Sequence, residues 1–290
     1  MMAMRQRLLD YVSLTKPIIT VLLLITTLSA MFVAARGVPA AGLVGWTMLG
    51  GALAAGGASA LNQYIDRDLD KQMARTAKRP IPAGRIPPSH ALVFGLTLSV
   101  LSVVVYVAFV NWAAALLALA GNLYYVGFYS LWLKRATPQN IVIGGAAGAI
   151  PPVVGWAAVT GSVHVAALFL FAIIFYWTPP HFWALALLKR HEYTRGQIPM
   201  MPVVWGEEET RRQIFLYSLI VVALTLLLTP AQVTGMFYLG AAALLGIILL
   251  IHAGVLWRGG TNKQAWRMYK YSSYYLALLF LAMVIDRTVR

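Results

Sequence analysis

Nine apolar runs, separated by short polar links, set the plan of this chain. They lie near residues 17–35, 43–62, 91–110, 112–132, 140–159, 165–188, 213–229, 235–256 and 271–287. Each falls within the roughly 17–25 residues with which a helix crosses a hydrocarbon core of about 30 Å. None shows the one-in, one-out alternation of an outer-membrane strand. The pattern therefore predicts an all-α polytopic membrane protein with nine transmembrane helices. No repeat and no Pro/Gly/Ser-rich linker divides it, so residues 1–290 read as a single integral-membrane domain. Residues 1–16 place Arg5, Arg7 and Lys16 among apolar neighbours, as an interfacial segment leading into the first span does. The first apolar run is longer than a signal-peptide core and eight more spans follow, so it reads as a retained helix. Small residues gather in span two (GGALAAGGASALN, 50–62) and span five (IGGAAGAIPPVVGW, 143–156), where close helix packing is expected. The Pro179-Pro180 pair predicts a bend or break in span six.

Composition agrees with the bilayer reading: of 290 residues, 60% are hydrophobic and 11% charged, with a mean hydropathy of +0.73. With no cysteine, disulfides, thiolate metal sites and thioester chemistry are excluded. The net charge of +14 does not signal nucleic acid, because the basic residues sit in the links between spans. With the N-terminus inside, 20 of the 23 Lys and Arg residues fall on the inner side, leaving Arg36, Arg287 and Arg290 outside. Eight of the nine acids are also inside, and only Asp286 is not. This is a positive-inside pattern, expected of a multi-pass protein of the bacterial cell inner membrane with its chemistry facing the cytoplasm.

That chemistry concentrates in Asn62–Arg85, NQYIDRDLDKQMARTAKRPIPAGR. On a helix, residues four apart are about 40° around and about 6 Å along from one another, so Asn62, Asp66 and Asp70 share a face, while Asp68 points about 200° away from Asp66. Two carboxylates and an amide at one helix end suit Mg²⁺, which keeps several positions for water and phosphate oxygens. Pro80, Pro82 and Gly84 then turn the chain into a loop that can fold basic groups over an anion. Arginine forks pair well with phosphate, so Arg75 and Arg79 are the first candidates to hold a diphosphate, with Lys71 next. Lys134, Arg135 and Lys189 at other inner ends are further anion candidates.

The motif NxxxDxxxD followed by DxxMxRTxxRPxPxGR resembles the first aspartate-rich motif of the UbiA superfamily of intramembrane prenyltransferases, closest to its heme-farnesylating branch. LTKP at Leu14–Pro17, KRATPQNIVIGGAAGAIPP at Lys134–Pro152, Gly155-Trp156 and PHFWALAL at Pro180–Leu187 extend the resemblance over about two-thirds of the chain. It implies a UbiA-type bundle in which Asp66, Asp70 and Asn62 act catalytically with Mg²⁺ on an isoprenyl diphosphate. The PHFWALAL segment implies heme b as the acceptor, farnesyl diphosphate as the donor and heme O as the product. A contact with heme A synthase or with terminal oxidase assembly is implied on the same ground. The branch resembles a sparse second acidic motif ending in Asp-Tyr after span six; here Glu192-Tyr193 stands in its place, making Glu192 a further metal candidate.

His181 lies in the family-like segment and is a candidate heme contact, weighed against a hydrogen bond between helices. Asn122 and Tyr125, polar in span four, are candidates to line a heme cavity. An aromatic quinone-precursor acceptor, a membrane transporter and a non-catalytic heme-binding assembly factor stand as the alternatives.

Overall fold

In the computed structural model, which describes residues 2–74 and 76–289, nine helices among the described residues are long and apolar enough to cross a membrane. An amphipathic-length lead, α1 (Met2–Leu14), precedes α2 (Pro17–Ala35) and α3 (Ala41–Ile65); α4 (Arg67–Lys71) caps α3 after a one-residue junction. The chain continues through α5 (Pro88–Phe109), α6 (Trp112–Leu123), a π-helix (Tyr124–Leu133) and α7 (Lys134–Ala136). Then come α8 (Asn140–Thr160), α9 (Val165–Leu188), the short α10 (Arg190–Arg195) and α11 (Met201–Val204), and finally α12 (Gly206–Leu227), α13 (Met236–Gly259) and α14 (Asn262–Val289). The expected count holds, and the differences lie at helix ends.

Those ends have local causes. α12 begins at Gly206 rather than near 213 because its charged first turns support one another: Arg212 lies 3.1 Å from Glu209 and Gln213 donates to Glu209 at 2.7 Å. Pairs at this spacing stabilise a helix, and acids in a first turn oppose its dipole. α14 begins at Asn262 because Thr261 and Gln264 form a reciprocal cap, the Thr261 amide donating to Gln264 Oε1 at 2.9 Å and the Gln264 amide to Thr261 Oγ1 at 3.3 Å. Span six does not break. α9 runs without interruption through Pro179 and Pro180, which sit buried inside the bundle. Proline is tolerated inside a membrane helix where neighbouring groups satisfy the backbone it frees.

Small residues set the helix contacts. A Cβ on Gly57 of α3 would meet the Gly95 carbonyl oxygen of α5 at 2.8 Å, and one on Gly155 of α8 would collide with the Thr27 carbonyl of α2. Glycine at both places lets backbones meet where any side chain would hold them apart. The main core runs through α8, α9 and α12–α14, with Trp183, Leu170, Ile173, Tyr238, Tyr275 and Phe280 fully enclosed. Asp286 is explained by packing as well: its buried carboxylate accepts from the amides of Gly235 (2.6 Å) and Tyr238 (3.1 Å) at the start of α13.

At the opposite end two loops close on each other. Met73, from the loop after α4, packs in the same core cluster as Ile198, Met200 and Met201, beside Tyr193. This contact roofs the end of the bundle that carries Asp66 and Asp70.

Candidate active site

The site is built at the join of α3 and α4. Two four-residue hydrogen bonds bracket that join, the Asp66 amide donating to the Asn62 carbonyl at 2.9 Å and the Asp70 amide to the Asp66 carbonyl at 2.8 Å. Helical phase therefore survives the change of helix. Asp66 and Asp70 are each 1% exposed, whereas the Asp68 side chain is 71% exposed and pairs with Lys71 at 3.3 Å. Asp68→Ala is accordingly expected to keep turnover within about twofold of the parent, since an exposed pair of this kind contributes roughly 0–1 kcal/mol; steady-state assay of the purified variant checks this.

Each buried carboxylate meets its own cation. Lys134 Nζ donates to Asp66 Oδ2 at 2.6 Å, and Arg79 Nη1 donates to Asp70 Oδ2 at 2.6 Å. The Asn62 amide joins them, its nitrogen donating to Asp66 Oδ2 (2.9 Å) and to Ser130 Oγ (3.0 Å), its oxygen accepting from Lys16 Nζ (2.9 Å). Asn62 thus orients Asp66, and its own oxygen is engaged by Lys16. Lys16 takes left-handed backbone angles between α1 and α2, which turns its ammonium into the site. Burial, reinforced by the positive charges of Arg79 and Lys134, lowers its pKa to about 8.

The π-helix carries Lys134 into place. Its widened turns bring Ser130 against Asn62, with Ser130 Oγ also donating to the Tyr125 carbonyl at 2.9 Å. Single π segments of this kind recur where a helix serves a site. Tyr125 and Tyr129 stack at 5.5 Å within electrostatic reach of Asp66, and the Tyr129 ring lies on Gly144, where a Cβ would strike it.

Other expected site residues fall elsewhere. Lys71 stays with exposed Asp68, Arg135 is exposed beside the inward-turned Lys134, and Lys189 pairs with Glu192 at 3.0 Å outside the aspartate cluster. Glu192 is thereby occupied on its own helix turn, and no group of three or more His, Asp or Glu side chains among the described residues converges as a metal cage. Asn122 is engaged in packing, its amide donating to the Ala54 carbonyl (3.2 Å) and Ser99 Oγ (3.0 Å). His181 sits on the α14 side of α9, Nδ1 2.8 Å from Ser272 Oγ, between the rings of Trp177 (4.5 Å) and Tyr269 (4.6 Å). Arg75 lies outside the described residues.

One atom marks where a cation fits. Asp66 Oδ1 is buried with no hydrogen-bond partner, an arrangement costly for a carboxylate oxygen and relieved by a metal ion. Asp66 and Asp70 supply hard oxygen donors and leave the remaining positions to water and phosphate, which suits Mg²⁺.

The chain matches the UbiA prenyltransferase family over residues 23–283. It belongs to that family. Within the UbiA family it is 54% identical over 280 residues to the protoheme IX farnesyltransferase of Roseiflexus sp. RS-1, covering 97% of this chain and 52% of that one. The chain spans about half the length of this relative and of those from Chloroflexus aurantiacus and Roseiflexus castenholzii. The protoheme IX farnesyltransferase of Gloeobacter violaceus is 54% identical, with 96% of this chain and 91% of that one covered. Among solved structures, a digeranylgeranylglyceryl phosphate synthase superposes with a TM-score of 0.83 at 16% identity, over 98% of this chain and all of that one. A UbiA homologue from Archaeoglobus fulgidus bound to DMAPP and Mg²⁺ gives 0.67 at 17% identity, over 95% and 99%. The bundle is thus a UbiA fold, and the membrane-protein reading of the nine spans stands with it.

Proposed function

We propose that this protein transfers the farnesyl group of farnesyl diphosphate to a vinyl group of heme b and that water completes the product, heme O. The observation that carries the donor half is the pair of buried aspartates, each clasped by its own cation beneath a roof of loops. The acceptor half is supported by relatives of nearly equal length named protoheme IX farnesyltransferase.

Asp66 and Asp70 are the residues to hold Mg²⁺, which when bound supplies Lewis-acid neutralisation of the leaving diphosphate. Lys134, Arg79 and Lys16 donate to Asp66, Asp70 and Asn62. Their flexible ends can turn to phosphate oxygens and stabilise the charge that grows as the allylic C–O bond breaks and its electron pair leaves with the diphosphate. The vinyl π-electrons then form the new C–C bond to the farnesyl carbon. Water adds to the resulting cation beside the pyrrole and gives up a proton, leaving a hydroxyethylfarnesyl group. Tyr125 and Tyr129, stacked on one another in the π-helix that leads to Lys134, are placed in this reading to screen the first carbocation from solvent. Arg75 is proposed as a further diphosphate contact from its place in the motif.

The loop end faces the cytoplasm of a bacterial inner membrane in this reading, which the distribution of basic residues supports. A product this apolar favours direct hand-over, so a contact with heme A synthase or terminal oxidase assembly belongs to the same proposal. Mass spectrometry of hemes extracted from cells expressing the chain is the test: accumulation of farnesylated hydroxyethyl heme is expected, and incorporation of prenyl groups only into hydroxybenzoate in parallel assays would sink the heme assignment. Chelation of divalent metal with EDTA is expected to lower turnover of the purified enzyme below about 1% of its starting value, with recovery on adding Mg²⁺.

A further inference from the structure

Behind the aspartate cluster, between α1 and the loop that follows Arg79, lies an open cavity of about 440 Å³. Four cations line it, Lys16, Lys78, Arg79 and Arg85, against one carboxylate, Asp10. Asp10 is neutralised already, since Arg85 Nε lies 3.1 Å from each of its oxygens. Arg85 is held in place by this contact and by its Nη2, which donates to the Lys78 carbonyl at 3.2 Å. The cavity is therefore strongly positive and its wall is ordered.

Two of its cations belong to both compartments. Lys16 and Arg79 line the cavity while their charged ends reach inward to Asn62 and Asp70. Gln63 lines the cavity next to Asn62 and donates to the Leu14 carbonyl at 3.0 Å, so adjacent residues of α3 serve the two sides of one wall. Beyond them stands exposed Lys78. An anion released at Asp66 and Asp70 thus finds cations at successive depths, Arg79 and Lys16 first and Lys78 and Arg85 next. These four charges favour a free polyanion over its prenyl ester.

We propose that this cavity is the exit subsite for inorganic diphosphate, a second polyanion site that receives the leaving group after transfer and passes it to water. The proposal rests on the prenyl-transfer reading of the aspartate site, which frees one diphosphate per turnover, and is independent of the acceptor.

The test keeps the aspartate site filled with farnesyl thiolodiphosphate and Mg²⁺ in the purified full-length protein and titrates inorganic diphosphate by calorimetry. A second, one-to-one binding event is expected. Lys78→Glu should weaken that event about tenfold by reversing one charge in the cavity, while the affinity for the thiolodiphosphate stays within about twofold. Lys78→Gln should fall between the two. Absence of a second event, or one that Lys78→Glu leaves unchanged, overturns the proposal. Displacement of diphosphate by heme b would assign the cavity to acceptor propionates, and displacement by phosphatidylglycerol to lipid headgroups; either result overturns it too. No heme is needed for the titration itself, so failure of the heme assignment would appear only in the extracted-heme spectrum.

Discussion

Asp66→Asn is expected to lower turnover by at least about a thousandfold, roughly 4 kcal/mol of transition-state stabilisation, while leaving a folded protein. Asparagine keeps the shape of the side chain and still offers an oxygen to Lys134, but it removes the charge with which Asp66 would hold a cation. Asp66 Oδ1 is the orphaned oxygen of the site, so the loss falls on the group that the protein itself does not satisfy. Asp66→Ala is a poorer test. It leaves Lys134, whose side chain is only 17% exposed, without its partner, and breaking a buried pair from one side costs about 3–5 kcal/mol of stability. Turnover and thermal unfolding measured together on both variants separate chemistry from folding. Retention of a tenth or more of parental activity in the asparagine variant would remove Asp66 from the metal site.

Gly155→Leu should abolish accumulation of folded protein, and Gly155→Ala should destabilise it by about 1–3 kcal/mol, the range for overpacking a close contact. The obstacle at this position is backbone, the Thr27 carbonyl and its carbon, and backbone cannot swing aside as a side-chain tip can. Thr27 is itself tied down, donating through Oγ1 to the Leu23 carbonyl at 3.0 Å and to the Pro151 carbonyl of α8 at 3.2 Å. Separating α2 from α8 would pull on Lys16, immediately before α2, and on the π-helix that packs on α8. The damage is expected to reach the aspartate site. Size-exclusion profiles and thermal unfolding in detergent, compared with Gly148→Ala, where a Cβ meets nothing within 4 Å, check the assignment to this contact.

The spans and the two aspartates were legible in the sequence because both depend on local quantities, the length of an apolar run and the phase of a helix. Asp66 and Asp70 share a side because two four-residue hydrogen bonds, Asp66 to Asn62 and Asp70 to Asp66, hold the helical spacing across the α3–α4 join. What pairs with them was not legible. Lys134 and Arg135 are adjacent and chemically alike, and the choice between them depends on the register of a π-helix that an ordinary four-residue period does not reveal. Lys16 carried a signal, a cation directly before Pro17 at the start of a span, but its left-handed turn is a property of the α1–α2 junction. For Asn122 and Lys189 the sequence left the partner open. A polar residue in or beside a span needs a partner, and theirs are Ala54 with Ser99, and Glu192, away from the site.

The clasped aspartates have a consequence for electroneutrality. Among the described residues, Lys16, Arg79 and Lys134 face Asp66 and Asp70, an excess of one positive charge inside a wall of low polarity. A divalent ion arriving alone would raise the excess to three, and a fully ionised prenyl diphosphate arriving alone would reverse it to two negative. Together they bring the chamber to zero. Since uncompensated charge is costly in such surroundings, on the proposed function each ligand would strengthen the hold on the other, and metal and ester would be admitted as a neutral pair.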